Sequence, residues 1–205
     1  MSPRISKRRL LGIDRSGPPP SQTLANQPLR PWTIPNAIGF VRLAGIPAFL
    51  ALALSSRDGR DTAATILFAA IGWADYLDGF AARLTGQYSR FGALLDPVVD
   101  RLLVVSGMAV AFHFSLLPRW AILVVVAREL FMLGASRYGL AHGIELKINW
   151  PGRIGVAPTM GAPFFAMAGV HWLALILLYV GLALSLLATA LYLRSGLRQL
   201  RHGPG

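Results

Sequence analysis

Six long apolar runs, separated by short polar segments, constrain the fold of this 205-residue chain more than any other feature. A helix needs about 20 mostly apolar residues to cross the hydrocarbon of a membrane. Because 54% of the residues are hydrophobic, the chain is too apolar for an ordinary soluble domain. We therefore predict an all-α polytopic membrane protein with six transmembrane helices, at roughly 35–54, 62–83, 92–115, 119–140, 153–170 and 172–193.

The two ends of the chain are basic and less apolar. Residues 1–30 carry six Lys or Arg and a Gly-Pro-Pro-Pro run. Such a segment cannot bury enough apolar surface to fold. We expect a disordered basic arm at 1–30, a membrane domain at 31–196 and a basic tail at 197–205.

Charge predicts the orientation of the helices. The formal net charge is +11, but the basic residues stand at the ends of the apolar runs, as expected beside anionic lipid headgroups rather than nucleic acid. The arm, the 84–91 loop, the 141–153 loop and the tail carry most of them. The positive-inside rule therefore places these segments and both termini in the cytoplasm, and it predicts membrane lipids, not nucleic acid, as partners.

Four of the nine acidic residues lie in the second and third apolar runs: Asp75, Asp78, Asp96 and Asp100. Burying an unpaired carboxylate costs several kcal/mol, so these side chains need cations beside them. The chain has no cysteine, which excludes thiolate metal sites and leaves oxygen and nitrogen ligands. Carboxylate oxygens favour hard divalent ions such as Mg²⁺ or Mn²⁺.

The spacing of the aspartates predicts a single acidic site. Asp75 and Asp78 are three residues apart and Asp96 and Asp100 are four apart, so each pair shares one face of a helix. The short, turn-like 84–91 connection makes the two helices antiparallel neighbours. We expect the carboxylates to meet near the cytoplasmic interface.

Small residues accompany the aspartates at Gly79, Ala82 and Gly92. They would let a bulky ligand, such as a diphosphate bridged by two ions, approach the helix backbones. Alternatively, the aspartates only cap helices or pair with neighbouring arginines. Four acids at fixed spacing inside apolar segments favour a functional site instead.

The pattern Asp-x2-Asp-Gly-x2-Ala-Arg-x8-Gly-x3-Asp-x3-Asp, at 75–100, closely resembles the signature of the CDP-alcohol phosphotransferase family at every fixed position. Residues 33–36 with Arg42, and residues 89–97, are similar to the bacterial phosphatidylglycerophosphate synthase branch. The resemblance extends over about 32–193. It implies a six-helix enzyme of the bacterial cytoplasmic membrane, usually a homodimer, that moves a phosphatidyl group from CDP-diacylglycerol to an alcohol and releases CMP.

The resemblance also implies roles for individual residues. Two divalent ions would be held by Asp75, Asp78, Asp96 and Asp100. Asp100 would also act as the general base. The CDP moiety would be contacted by Asn36, Asp75, Gly79, Ala82, Arg83 and Ser89.

A second group of cations is a candidate acceptor site: Arg128, Arg137 and Arg153, with Lys147 in a nearby loop. Arg128 lies inside the fourth apolar run, where a cation needs a partner such as Glu129 or an anionic substrate. Phosphatidylglycerophosphate synthases typically carry Gly-Lys-x-Lys-Thr before the fifth helix. This chain has Gly-Arg-Ile-Gly-Val at 152–156, so one of the two cations is replaced by glycine.

These observations predict phosphatidyl transfer from CDP-diacylglycerol to glycerol 3-phosphate. Within the family, the alternative is a cardiolipin synthase that uses phosphatidylglycerol as acceptor, because some family members described as such look similar at 152–156. From a different class, a cation-coupled membrane transporter would also contain buried acids. A transporter leaves the ordered glycine, alanine and arginine spacing unexplained, and no inverted repeat of the aspartate pattern is visible.

Overall fold

The computed structural model describes residues 28–141 and 150–202, and it describes side chains for 28–132, 134–135 and 154–195. Within these residues the chain forms six α-helices and no β-strand. The helices are α1 (Ile34–Ser55), α2 (Thr62–Thr85), α3 (Arg90–His113), α4 (Arg119–Ala141), α5 (Trp150–Met167) and α6 (His171–His202). The all-α prediction is confirmed, and one helix falls on each predicted apolar run. The predicted basic arm lies outside the described residues, apart from 28–30.

Polar caps set the starts of the first two helices. The Thr33 hydroxyl accepts a hydrogen bond from the backbone N–H of Asn36 at 3.3 Å. At the start of α2, the Asp61 carboxylate accepts one from the Ala64 amide at 2.7 Å. Each cap satisfies a backbone N–H that the first helical turn leaves without a carbonyl partner.

Two helices end at places that hydropathy did not predict. Helix α5 stops at Met167 rather than at residue 170, because the chain turns at Gly169, whose φ is +81°. Helix α6 continues to His202, well past the predicted end of the apolar run at residue 193. Hydropathy marks where a helix leaves an apolar environment, not where its backbone hydrogen bonds stop. The predicted basic tail is therefore helical along its described backbone.

The chain divides into two compact units. The first contains the described residues of Met1–Leu52 and Ile66–Leu103. Its core includes Phe49 and Phe68, whose ring centroids are 5.1 Å apart, and the fully buried Val99 and Leu103.

The second unit contains Ala53–Thr65 and the described residues of Val104–Gly205. Helices α5 and α6 approach closely in this unit. A Cβ added at Gly181 on α6 would lie 2.9 Å from the backbone nitrogen of Thr159 on α5, so only glycine permits this contact.

Among the described residues, two helices are long and apolar enough to cross a membrane, judged by length and composition: α1 and the His171–Ser195 part of α6. Large apolar side chains are also exposed along the helices, among them Val41, Ile66 and Trp73. Single exposed apolar side chains are common, and a contiguous patch marks a membrane or protein interface.

Candidate active site

Arg42 on α1 lies at the centre of the aspartate group. Its Nη1 donates to Asp75 Oδ1 at 3.1 Å and to Asp78 Oδ2 at 2.9 Å. Its Nη2 donates to Asp100 Oδ1 at 2.5 Å, and its Nε donates to the carbonyl oxygen of Ile71 at 3.1 Å. The predicted meeting of carboxylates from α2 and α3 is confirmed for three of the four, and a guanidinium brings them together.

Helical spacing explains how the three carboxylates reach one point. Asp75 and Asp78 lie on one face of α2, Asp100 lies on α3, and each must face α1 to contact Arg42. The side chains differ in exposure: Asp78 is 6% exposed, Asp100 35% and Asp75 48%. The cluster is therefore closed around Asp78 and open toward Asp75, which is the side from which a polar ligand can reach it.

Asp96 lies one turn before Asp100 on α3 and is not among the carboxylates that Arg42 contacts. It lies close to Gly39 on α1, where an added Cβ would be 4.0 Å from its Oδ1 and 3.0 Å from Leu95 Cδ2. The absence of a side chain at Gly39 lets α3 pack closely against α1. Asp96 lies in the same unit as the other three aspartates.

Arg83 extends over the glycine of its own helix. A Cβ added at Gly79 would lie 3.3 Å from Arg83 Nη1. The predicted nucleotide-binding residues Gly79 and Arg83 are thus adjacent, with Ala82 between them on the chain. Because residue 79 has no side chain, the Arg83 guanidinium can lie over this position, which follows Asp78 in α2.

Asn36 and Ser89, both predicted to contact the nucleotide, are buried and hydrogen-bonded to each other. Asn36 Nδ2 lies 3.0 Å from Ser89 Oγ and 2.9 Å from the carbonyl oxygen of Pro31, to both of which it donates. Ser89 Oγ in turn accepts from the Gly92 amide at 2.9 Å, so it caps α3. These contacts fix the loop between α2 and α3 to the start of α1. Their role at the nucleotide remains a prediction.

Gly92 is required by this same network. An added Cβ would lie 2.5 Å from Asn36 Oδ1, closer than real Cβ atoms approach a neighbour. Packing against Asn36 therefore requires glycine at this position. This requirement adds to the predicted role of Gly92 in leaving room for a ligand.

The candidate acceptor residues belong to the second unit or lie outside the described side chains. Arg128 on α4 forms an ion pair with Glu129, and its Nε donates to Thr189 Oγ1 at 2.9 Å. The predicted partner Glu129 is confirmed. Arg137 and Arg153 fall within α4 and α5, but their side chains are not among those described, and Lys147 lies outside the described residues altogether.

The chemistry of the carboxylate donors fits a divalent metal. In the present geometry one guanidinium faces three carboxylates, with Asp96 nearby, so the site carries an excess of negative charge that a further cation would offset. All the donors are hard oxygen atoms, which suit Mg²⁺ or Mn²⁺. Among the described residues, no group of three or more acidic or histidine side chains is arranged to hold a metal ion without rearrangement. The three carboxylates point to Arg42 instead.

Arg42 is the site residue that sequence reasoning missed. It appeared only as part of a family resemblance, yet it is the sole charged residue of α1 and is 1% exposed. A single arginine inside an apolar span signals a buried charge that requires acidic partners. That signal calls for acidic partners, and the aspartates of the second and third apolar runs were the buried candidates.

Comparison with known proteins identifies the family of this chain. A family model described as CDP-alcohol phosphatidyltransferase matches residues 32–187. A Streptomyces coelicolor protein named cardiolipin synthase (CMP-forming) is 36% identical over 170 residues, which cover 80% of this chain and 79% of the relative.

Two further relatives are named for a different reaction. Proteins named CDP-diacylglycerol–glycerol-3-phosphate 3-phosphatidyltransferase are 31% identical in both Bacillus subtilis and Shigella flexneri. The first match covers 60% of this chain and 70% of the relative, and the second covers 82% and 93%. The extent of these matches and the aspartate motif lead to one conclusion: the chain belongs to the CDP-alcohol phosphatidyltransferase family.

Proposed function

We propose that this protein transfers the phosphatidyl group of CDP-diacylglycerol to glycerol 3-phosphate and releases CMP. The observation that carries the proposal is the convergence of Asp75, Asp78 and Asp100, three acids of the family motif, on one buried cationic centre. Carboxylates on facing helices can hold divalent metal ions. Such ions suit a reaction that must bind and neutralise a diphosphate. The Bacillus subtilis and Shigella flexneri relatives are named for this reaction.

The donor would bind at the open side of the aspartate cluster. Asp75, Asp78, Asp96 and Asp100 would hold two divalent ions. When bound, these ions supply charge neutralisation to the diphosphate and to the departing CMP. The small residues Gly79 and Ala82 would leave room for the donor beside α2. The Arg83 guanidinium, which lies near Gly79, would contact a phosphate or the nucleotide.

Asp100 is the proposed base. The acceptor hydroxyl oxygen attacks the phosphorus that bears diacylglycerol, the bond from this phosphorus to the CMP oxygen breaks, and CMP leaves with the bonding electron pair. The hydroxyl proton passes to Asp100. Because Arg42 contacts Oδ1 of Asp100, we propose Oδ2 as the atom that receives the proton.

Cations are needed where a phosphorylated acceptor binds. Glycerol 3-phosphate carries a dianionic phosphate, and Arg128, Arg137 and Arg153 are the proposed residues that bind it. Arg128 already binds one carboxylate, Glu129, so it would share its guanidinium between Glu129 and the acceptor.

Phosphatidylglycerol is a second candidate acceptor, which would make the protein a cardiolipin synthase. Two observations favour it: the identity to the Streptomyces coelicolor cardiolipin synthase, and glycine in place of the second cation at residue 155. Phosphatidylglycerol has a monoanionic phosphodiester and a free hydroxyl, so it requires fewer cations than glycerol 3-phosphate.

We further propose that all six helices span the bacterial cytoplasmic membrane, with both termini and the aspartates on the cytoplasmic side, and that the protein is a homodimer. Support comes from the two helices that pass the length and composition criterion, from the exposed apolar side chains and from the one-sided basic loops. The homodimer rests on the family resemblance alone. The mass of the purified protein in lipid nanodiscs would test it.

An acceptor panel tests the proposed function. Purified protein would receive CDP-diacylglycerol with glycerol 3-phosphate, phosphatidylglycerol, serine or inositol phosphate, and the lipid formed would be identified by mass spectrometry. We expect phosphatidylglycerophosphate as the main product. Cardiolipin from phosphatidylglycerol, without use of glycerol 3-phosphate, would establish the second candidate instead.

A further inference from the structure

Arg42 is among the largest fully buried side chains of the described protein. Its Nη1 donates to two carboxylates on α2 and its Nη2 donates to one on α3. Its Nε donates to the backbone carbonyl oxygen of Ile71. A buried arginine is costly unless such partners surround it, and a buried carboxylate has the same need. Arg42 therefore offsets part of the negative charge of the three aspartates, and they in turn satisfy its hydrogen-bond donors.

The same carboxylates are the proposed ligands of two divalent ions. A dication at Asp75, Asp78 or Asp100 would stand within a few ångströms of the Arg42 guanidinium, because the carboxylate oxygens lie 2.5–3.1 Å from its nitrogens. Like charges at such a distance repel strongly where water is scarce. Arg42 contacts only one oxygen of each carboxylate, so a metal ion could bind the other oxygen, but the guanidinium charge would oppose it.

We propose that Arg42 is an internal counter-ion of the aspartate cluster: it holds the aspartates of α2 and α3 together and, through its positive charge, weakens the binding of divalent metal to the same carboxylates. This inference rests on the proposed function, since it takes the aspartates as the metal ligands. Arg42 acts through the carboxylates, so it is a positioning residue. The bond from Nε to the Ile71 carbonyl gives the side chain an anchor that does not depend on the aspartates.

The proposal predicts opposite effects of Arg42 on stability and on metal affinity. Arg42→Gln removes the positive charge, so the metal-free protein should unfold at a lower temperature, because three carboxylates lose their partner. The same variant should bind metal more tightly, because the positive charge that opposes the metal is gone. Arg42→Lys keeps one charge but cannot bridge three carboxylates, so its metal affinity should fall between those of Arg42→Gln and wild type.

The experiment measures Mn²⁺ binding by electron paramagnetic resonance of the free ion, with purified full-length protein in lipid nanodiscs. Thermal unfolding is followed in EDTA and in Mn²⁺. We expect Arg42→Gln to bind Mn²⁺ about tenfold more tightly than wild type, the factor that corresponds to losing one charge-assisted hydrogen bond. We also expect Mn²⁺ to restore most of the stability that the variant loses in EDTA. Arg57→Gln is the matched control, because it removes an exposed arginine from the loop before α2 and should leave both quantities unchanged.

Each outcome decides the inference. Unchanged or weaker Mn²⁺ binding by Arg42→Gln would overturn it while leaving the proposed function intact, and so would a loss of stability that Mn²⁺ does not reduce. If wild type binds no Mn²⁺, the result contradicts both the proposed metal site and this inference. If Arg42→Gln cannot be purified in EDTA, it should fold when purified in Mn²⁺. Failure to fold in Mn²⁺, together with wild-type affinity in Arg42→Lys, would contradict the proposal.

Discussion

Arg42 Nη2 and Asp100 Oδ1 are 2.5 Å apart and join the first helix to the third. The proposed catalytic base is thus positioned by the one charged residue of α1. A carboxylate held in this way cannot rotate freely, so its second oxygen has a fixed direction. The orientation of a base is part of its efficiency, because proton transfer needs hydrogen-bond geometry.

Asp100→Asn should lower turnover by about 100-fold or more, with a much smaller effect on the KM for CDP-diacylglycerol, because a base acts in the transition state. Steady-state CMP release at varied donor concentration measures both constants. A raised donor KM with normal turnover would mean that Asp100 binds the donor and does not take the proton.

Gly92→Ala should destabilise the protein by about 1–3 kcal/mol, the usual effect of forcing extra volume into a packed site. The added methyl would lie 2.5 Å from Asn36 Oδ1 and would disturb the Asn36–Ser89 pair. Gly134→Ala is the matched control, because a Cβ at Gly134 meets nothing within 4 Å. Thermal unfolding in nanodiscs would compare the two variants. Equal stability of Gly92→Ala and wild type would contradict the prediction, because it would show that Asn36 and Ser89 can move aside without strain.

Arg153→Ala should raise the KM for glycerol 3-phosphate by about tenfold or more, since it removes a charge-assisted hydrogen bond to the acceptor phosphate. The KM for CDP-diacylglycerol should stay nearly constant. Arg153 is a better test than Arg128, because loss of Arg128 would also leave Glu129 without its ion-pair partner. An unaltered KM for glycerol 3-phosphate would remove Arg153 from the acceptor site.

The orientation in the membrane can be tested with single cysteines, because the native chain contains none. Thr85→Cys at the end of α2 should react with an impermeant maleimide only from the cytoplasmic side, and Asp58→Cys in the loop before α2 only from the opposite side. Both positions are exposed, so protein packing should not block the reagent. Labelling of both cysteines from the same side would contradict the proposed orientation.

Much of the fold could be predicted because it depends on local sequence. Apolar runs predicted six helices, and the structure confirms a helix on each. The end of α6 at His202 was not predicted, since a helix continues beyond a membrane boundary while its backbone bonds remain satisfied. Six membrane spans remain a proposal, with two helices passing the length and composition criterion.

The candidate site, too, could be predicted only where it depends on local sequence. The spacing of Asp75 and Asp78 places them on one face of α2, which a sequence reveals directly. Their contact with Arg42 depends on how α1 packs against α2, which periodicity does not specify. Likewise, the sequence contained both Asn36 and Ser89, but their hydrogen bond joins residues 53 positions apart. Family resemblance assigned both to the nucleotide, whereas the structure adds a packing role.

CMP release from CDP-diacylglycerol by the purified protein tests the central claim most directly. With glycerol 3-phosphate present, wild type should release CMP in Mg²⁺ or Mn²⁺ and stop in EDTA. Asp78→Asn, which keeps the shape of the most buried aspartate of the cluster but removes its charge, should be slower by about 100-fold or more, as expected when metal-dependent charge stabilisation is lost. Asp58→Asn, which neutralises an exposed loop aspartate, should match wild type. Undiminished CMP release in EDTA, or by Asp78→Asn, would contradict the account.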